Sequence, residues 1–200
     1  MELTTIIYWA IIALVIYGVL TGGYYVYRRI NGTWNTMPSD KKVWTITDTK
    51  SQQGSEGSFL AWFYLEDVII SDKEMPILEY KSEDLTVSIF MNTKNSAYRV
   101  IVQKHKYPER VEMIHAVPMQ KWVHVGVVIH DRTIELYLDG NLRGVRQFKN
   151  PPEIQDKATV YYTPANIVGE VQGVEYVNRG LSADEIRAIY AKGRTGMFSL

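Results

Sequence analysis

The chain has 200 residues, enough for one well-buried domain, and its formal net charge is zero, with 22 basic and 22 acidic residues. Because no basic surplus is present to contact phosphates, the charge balance disfavours a nucleic acid as partner. The chain has no cysteine, which excludes a disulfide scaffold, a thiol nucleophile and thiolate metal sites. The 14 tyrosines and the many Val and Ile residues favour sheet over helix.

Residues 3–27 contain no Asp, Glu, Lys, Arg or His, and residues 6–20 are almost entirely apolar. A helix needs about 20 such residues to cross roughly 30 Å of hydrocarbon. Backbone polar groups in lipid must be satisfied internally, so we predict one transmembrane helix over residues 1–27. Aromatic and basic residues near its ends suit the membrane interface, and these are Tyr8, Trp9, Tyr24, Tyr25, Tyr27, Arg28 and Arg29.

Two other interpretations of this stretch fit the sequence less well. A cleaved signal peptide has a positive start, a short apolar core and a small-residue cleavage site. This chain begins Met1-Glu2, its apolar run is longer, and no Ala-x-Ala precedes Arg28. A buried helix of a soluble domain would carry polar positions along one face.

The flanking charges predict the orientation of the helix. Glu2 precedes the apolar run, whereas Arg28 and Arg29 follow it directly. The positive-inside rule therefore places the C-terminal domain on the cytosolic side of the membrane. The sequon Asn31-Gly32-Thr33 would favour the lumenal side if it were glycosylated, but such tripeptides are common by chance.

The rest of the chain changes from a tether to short strands. Residues 28–42 are rich in turn formers and show no periodicity, so we predict a short tether there. Residues 58–65 are apolar on both faces and should form a central strand covered on both sides, while residues 104–120 look irregular. We predict strands over 43–47, 58–65, 85–91, 98–102, 122–129, 133–138, 159–162, 167–168 and 171–177.

Two local motifs complete the prediction. Asp139-Gly140 follows a strand and is typical of a tight hairpin turn with positive φ. Ser182 and Glu185 form a capping box that begins a short helix, which Gly193 ends. Many antiparallel strands and one late helix predict an all-β fold, a two-sheet antiparallel jelly roll or sandwich over residues 43–200 with one short C-terminal helix.

Three stretches carry a family resemblance. They are the Trp-containing strand at 57–65, the Trp strand at 121–125 with the Leu-Tyr-x-Asp-Gly hairpin at 134–140, and the closing strand with its Leu-Ser-x-x-Glu-Ile helix at 173–186. In order and spacing they resemble the concanavalin A-like lectin/glucanase superfamily, in its laminin-G-like branch. The resemblance implies a jelly roll of two curved antiparallel sheets. It does not imply one activity, because fold and function separate.

The resemblance also raises the question of catalysis, since the family includes glycoside hydrolases. A Glu-x-Asp-x-x-Glu strand in those enzymes puts carboxylates about 5 Å apart on one face, and no such pattern occurs here. Glu66-Asp67 and Glu83-Asp84 are adjacent pairs, so on a strand their side chains would point to opposite faces. We expect solvated loop charges at these positions, and we predict that the protein is not an enzyme and has no catalytic residues.

No strong metal site or cofactor site is visible in the sequence. Asp67, Asp72 and Glu74 are weak calcium candidates, because carboxylates could converge there with backbone carbonyls. The histidines lack the spacing of metal ligands on a helix, and they are His105, His115, His124 and His130. Trp62 and Trp122 could stack on a sugar, but their apolar neighbours favour core packing.

Two function hypotheses follow. The first is a structural or interaction protein whose jelly roll is held at membrane lipid by one helix and docks to protein partners in a larger assembly. The capsid of a virus with an internal membrane would be one such assembly. The alternative is a membrane-anchored glycan-binding, lectin-like module displayed outside the cell, which requires the opposite orientation.

Overall fold

The computed structural model describes residues 12, 16–18, 34–47, 55–67, 76–92, 97–116, 118–155 and 157–193. Residues 1–33 and 34–200 form two separate units. Apart from residues 12 and 16–18, the predicted anchor lies outside the described residues, as do all seven predicted membrane-interface residues. Among the residues that are described, no helix is both long enough and apolar enough to span a bilayer.

Twelve antiparallel strands of the described residues form two six-stranded sheets. The strands are β1 (Trp34–Thr36), β2 (Val43–Ile46), β3 (Glu56–Asp67), β4 (Pro76–Lys81), β5 (Leu85–Asn92), β6 (Ala97–Lys104), β7 (Glu109–Ala116), β8 (Trp122–His130), β9 (Thr133–Leu138), β10 (Asn141–Gln147), β11 (Ala158–Tyr162) and β12 (Val168–Val177). Sheet A has the order β1-β12-β3-β8-β9-β10, and sheet B has the order β2-β11-β4-β5-β6-β7. A short 3-10 helix (Pro164–Asn166) connects β11 to β12.

The core lies between the two sheets because alternate residues of each strand face inward. From sheet A, Phe59 and Phe63 of β3 and Val125 of β8 point into this layer, and from sheet B, Tyr98 and Val100 of β6 meet them. The ring centroids of Phe63 and Tyr98 are 5.1 Å apart. The predicted all-β sandwich with a short C-terminal helix is therefore confirmed.

The helix α1 (Ala183–Lys192) covers the outer face of sheet A. Ile186 is fully buried and packs with Leu60 of β3 and Val128 of β8 in a second apolar cluster. This packing explains why β3 is apolar on both faces, as the sequence predicted. The predicted capping box is also present, since the Ser182 side chain accepts from the Glu185 N–H and the Glu185 carboxylate accepts from the Ser182 N–H.

Ser182→Ala should lower the free energy of unfolding by about 1 kcal/mol, because the Glu185 N–H loses its acceptor. Urea unfolding of the full chain in detergent measures the change. Ser182→Thr is the matched control, because it retains a hydroxyl acceptor and should be less destabilising. An unchanged unfolding curve for Ser182→Ala would contradict this role of the cap.

Both predicted hairpins of the central region are present. β5 pairs with β6, so that Leu85 lies opposite Lys104 and Met91 opposite Tyr98. Asp139 and Gly140 have φ values of 50° and 75°, so both central residues of the β9–β10 turn adopt the positive φ that this turn requires. The β10 partner strand then begins at Asn141.

Asp84 connects three loops at one end of the sandwich and is only 3% exposed. Its Oδ1 accepts hydrogen bonds from the N–H groups of His105 (3.3 Å) and Lys106 (2.6 Å). Its Oδ2 accepts one from the Glu153 N–H (3.0 Å). The prediction of solvated loop charges is therefore wrong for Asp84, whereas Glu83 is exposed.

Several elements differ from the sequence prediction. Residues 34–36, expected in the tether, form β1, and Met37 is buried in the core. The predicted tether over 28–42 is therefore wrong at its centre, because β1 completes the edge of sheet A.

The region 104–120, expected to be irregular, contains β7, and β4 was not predicted. The two strands predicted over 167–168 and 171–177 are one bulged strand, β12.

Candidate binding site

A cleft of about 480 Å³ lies along the edge of sheet A beside β12. This volume falls within the usual range for ligand sites, about 300–1,000 Å³. Ten residues from three parts of the chain line it, namely Met37, Pro38, Ser39, Lys41, Tyr162, Glu170, Val171, Gln172, Gly173 and Val174.

The cleft exists because β1 covers only part of β12. β1 pairs with residues 175–177 of β12, and the Met37 N–H then donates to the Val174 carbonyl (2.8 Å). The chain next turns through Pro38 and Lys41 into β2 of sheet B. Within the described residues, no strand pairs with residues 168–173 on this side.

Two glycines shape this part of β12. Gly173 has a φ of 55° and lies in the bulge where the pairing with β3 shifts its register. Gly169 has a φ of 150°, and a Cβ at this position would overlap the carbonyl oxygen of Tyr64 on β3. Both positions favour glycine, because L side chains rarely adopt these backbone angles. The bulge separates the part of β12 that pairs with β1 from the part that faces the cleft.

The cleft presents both signs of charge and several hydrogen-bonding groups. On one side is the Lys41 ammonium, 57% exposed and 3.7 Å from the Asp40 carboxylate. On the other side the Glu170 carboxylate accepts a hydrogen bond from Gln172 Nε2 (2.9 Å). These groups suit reversible recognition of a ligand that carries both donors and acceptors.

Tyr162 reaches the edge of β12 from sheet B. Burial raises the pKa of its hydroxyl, and the neighbouring Val171 backbone only partly offsets this effect. The hydroxyl is therefore protonated at neutral pH, and it lines the cleft beside Val171.

Glu175 lies next to the cleft, where β1 pairs with β12, and is 5% exposed. Thr36 Oγ1 on β1 donates to its carboxylate at 3.5 Å. Burial raises the pKa of Glu175 to about 7, and the hydrogen bond from Thr36 only partly offsets this effect. The carboxyl group is therefore close to half protonated near neutral pH.

The outer face of sheet B is polar, but its charged groups bind one another. The Arg99 guanidinium makes two hydrogen bonds to Glu112 (2.7 and 3.0 Å), which lower the pKa of Glu112. Lys81 lies 3.1 Å from the Glu79 carboxylate, which also accepts from the Ser88 hydroxyl. The cleft is therefore the better candidate for ligand binding.

Two of the three predicted calcium candidates lie outside the described residues, so the calcium site stays a prediction. Asp67 is exposed at the end of β3, and Asp72 and Glu74 lie outside the described residues. Within the described part of the chain, no three His, Asp or Glu side chains are placed to hold a metal ion.

The histidines are dispersed over the domain. His105 bonds to the Thr86 hydroxyl and His115 to the Arg143 carbonyl. His124 is fully buried, and neither ring nitrogen has a hydrogen-bond partner among the described residues. Burial accordingly lowers the pKa of His124 to about 4, so its ring is neutral at physiological pH.

The two tryptophans considered as sugar-stacking residues, Trp62 and Trp122, lie on the outer face of sheet A. Trp62 is buried, as predicted, but beneath α1, where its ring stacks on Tyr190 with centroids 5.7 Å apart. Trp122 is only half-buried and contacts Tyr64 at 5.5 Å. Neither tryptophan belongs to the layer between the sheets.

Sequence reasoning missed the residues of the cleft itself. Lys41 falls in the predicted tether, and Tyr162, Glu170 and Gln172 have no sequence signal beyond their places in or beside short strands. The one sequence signal was Gly173 inside a predicted strand, because an isolated strand glycine suggests a bulge or a close approach.

Comparison with known proteins identifies the fold family. A family model described as "Concanavalin A-like lectin/glucanases superfamily" matches residues 39–187. The chain belongs to this superfamily. The predicted concanavalin A-like, laminin-G-like jelly roll is thus confirmed, and no curated protein matches the sequence.

Solved structures similar to this concanavalin A-like domain include botulinum neurotoxin binding domains. The serotype D binding domain matches with a TM-score of 0.56 and 15% identity, over 80% of this chain and 45% of that one. The DC binding domain in complex with SialylT gives 0.52 and 11%, over 81% and 45%. The DC binding domain in complex with rat synaptotagmin II gives 0.53 and 11%, over 81% and 45%. At such identities the likeness concerns the fold, and this chain spans less than half the length of each neighbour.

Proposed function

We propose that this protein is a non-enzymatic, single-pass membrane protein whose jelly-roll domain recognises a partner protein through the cleft beside β12. The observation that carries the proposal is the composition of the cleft, in which a cation, an anion, an amide and a hydroxyl surround an open strand edge. Such groups hold a polar partner reversibly. A larger assembly at a membrane, such as the capsid of a virus with an internal membrane, would be a suitable setting.

The carboxyl groups near the cleft support a role without catalysis. Hydrolysis of a glycosidic bond uses two carboxyl groups that face each other across the substrate. Among the described residues that line the cleft, Glu170 is the only carboxylic acid, and it is hydrogen-bonded to Gln172. Asp84 uses both of its oxygens to bind backbone N–H groups at a loop junction. We propose no cofactor and no catalytic residue.

The charge-free stretch 3–27 supports the membrane part of the proposal. An apolar helix of this length would insert stably, and the basic residues that follow it would keep the domain on the cytosolic side. The interface residues would be Tyr8 and Trp9 at one end, with Tyr24, Tyr25, Tyr27, Arg28 and Arg29 at the other. Lipid and a protein would then be the two partners.

Alkaline carbonate extraction and protease protection of the full chain test this proposal. We expect the chain to stay with the membranes and the domain to be digested only by protease on the cytosolic side. Release by carbonate, or a mature product without its first 27 residues, would contradict membrane anchoring. The same chain carrying two Lys residues within 10–16 is the control, because it should no longer insert.

Glycan binding is the second candidate function, and one local arrangement favours it. Glu170 of β12 lies opposite Tyr64 of β3, and Tyr64 lies opposite Trp122 of β8. A carboxylate and two half-buried aromatic rings therefore lie side by side on the same face of three neighbouring strands. A glycan array probed with the full chain in detergent, with and without calcium, distinguishes the candidates. Saccharide binding that Trp122→Ala abolishes would favour the lectin-like function.

A further inference from the structure

The two edges of sheet A differ in how they are protected. β10 forms one edge, and its pairing with β9 is interrupted by a bulge at Arg143. Arg143 and Arg146 add positive charge, and the His115 ring binds the Arg143 carbonyl at 2.7 Å. Bulges, basic residues and blocked carbonyls are the usual means by which proteins prevent another strand from adding to an edge.

The opposite edge has a stretch without such protection. Residues 168–173 of β12 have the sequence Val-Gly-Glu-Val-Gln-Gly, without Lys, Arg or Pro. The Leu65 carbonyl of β3 accepts from the Gln120 N–H, on the side of β8. Alternate residues of a strand bond to opposite neighbours, so Trp62 and Tyr64 bond to β12, where their partners are Gln172 and Glu170. Val171 lies between these two partners, so its N–H faces away from β3 and into the cleft. The N–H and C=O of one strand residue point to the same side, so the Val171 carbonyl also faces the cleft. One donor and one acceptor are thus presented with the geometry of a strand edge.

We infer that the cleft binds an extended peptide segment of a partner protein, which adds to sheet A as a strand along residues 168–173. This inference rests on the proposed function as a recognition module and specifies how the partner is held. The added strand continues the line of β1, whose last contact with β12 is the Met37 N–H bonded to the Val174 carbonyl. Backbone hydrogen bonds would supply affinity, and alternate side chains would supply specificity.

The lining of the cleft defines the chemistry of the peptide. Alternate side chains of an added strand would face Met37, Tyr162 and Val174, so these positions of the peptide should be apolar. Lys41 favours an acidic residue at one end of the segment, and Glu170 favours a basic residue at the other. The expected ligand is therefore an extended segment with alternating apolar residues, one acid and one base.

A substitution at Tyr162 distinguishes binding of a peptide from binding of a saccharide. The Tyr162 side chain lies beside the Val171 backbone, whose N–H an added strand must bond. Tyr162→Phe should therefore retain peptide binding, because the peptide is held by backbone hydrogen bonds and the apolar ring remains. A saccharide held through the Tyr162 hydroxyl would instead bind more weakly to this variant.

The test uses an array of octapeptides in which Val alternates with Thr, with one Asp and one Lys moved through the Thr positions. The full chain in detergent is applied to the array, and the strongest binder is resynthesised with N-methyl groups on either of the two alternate sets of residues. Methylation of the set that faces β12 should weaken binding about tenfold or more, while the other set should have little effect. The double substitution Lys41→Glu with Glu170→Lys should reverse the preferred positions of Asp and Lys.

A protein variant supports the peptide series. Val171→Pro removes the N–H that faces the cleft without removing a hydrogen bond to β3, and it should also weaken binding about tenfold. The unfolding curve of this variant shows whether its fold is intact. If the variant does not fold, the N-methyl series alone tests whether the peptide adds as a strand. Strand addition is excluded if no peptide of the array binds or if both methylated sets bind alike. Such an outcome of the peptide experiments would not affect membrane anchoring, which carbonate extraction and protease protection test separately.

Discussion

Replacing Asp84 with alanine is expected to lower the free energy of unfolding by about 3–5 kcal/mol, a greater loss than most point substitutions cause. The side chain is buried and accepts hydrogen bonds from the N–H groups of His105, Lys106 and Glu153. Alanine would leave the N–H groups of Lys106 and Glu153 in a poorly solvated position without their acceptor, whereas the His105 N–H would keep the Asp84 backbone carbonyl (2.8 Å). The loops after β6 and before β11 would lose their common attachment.

The neighbouring residue provides the control for Asp84. Glu83 is exposed, and Glu83→Ala should change the free energy of unfolding by less than about 0.5 kcal/mol. Asp84→Asn should be intermediate, because one oxygen remains as an acceptor while the charge is lost. Urea unfolding of the three variants gives the comparison. Equal effects of Glu83→Ala and Asp84→Ala would mean that the buried carboxylate does not stabilise the loops.

Glu175→Gln is expected to stabilise the protein by about 2–3 kcal/mol at pH 8 and to have little effect at pH 4. The pKa of Glu175 is about 7 in the folded protein, against an ordinary value of 4.5. Between these values the folded state holds a proton that the unfolded state has released. The folded state is therefore favoured at low pH, and this contribution is lost as the pH rises from 4.5 to 7.

The titration of His124 has the opposite effect on the free energy of unfolding over nearly the same pH range. Its pKa is lowered from 6.5 to about 4, so the unfolded state takes up a proton first as the pH falls. Its contribution to stability is complete above pH 6.5 and is lost as the pH falls to 4. The two groups should nearly cancel in the parent protein, which predicts a flat stability profile between pH 4.5 and 6.5. The lowered pKa of Glu185, about 2, acts below this window.

Urea unfolding of the parent protein and of Glu175→Gln at several pH values from 4 to 8 tests both contributions. The variant should become more stable as the pH rises, because only the histidine contribution remains. Parallel profiles for the two proteins would show that Glu175 does not titrate differently in the folded state. Thr36→Val is a useful companion, since it removes the hydrogen bond that lowers the pKa of the Glu175 carboxyl group and should raise that pKa further.

Elements with strong local signals were predictable from the sequence. The Asp139-Gly140 turn requires positive φ at both residues, and the capping box at Ser182 satisfies N–H groups that any helix start exposes. Long apolar runs such as those in β3 and β8 likewise have few alternatives to a central strand. In each case the information lies within ten neighbouring residues.

Elements stabilised by distant partners were not predictable. β1 is three residues long and mostly polar, and it becomes a strand only because β12 offers it an edge. Asp84 resembles any acidic loop residue until His105, Lys106 and Glu153 surround it. The cleft combines the turn before β2 with residues of β11 and β12, which come together only in the folded sandwich.

The pairing of β1 with β12 has a consequence for synthesis of the protein. Thr36 and Glu175 are 139 positions apart, and β3 also depends on β12 for one of its two neighbours. Sheet A therefore cannot form completely before the ribosome has translated β12. Contacts of such long range slow folding. Until β12 has been translated, β3 lacks one of its two strand neighbours.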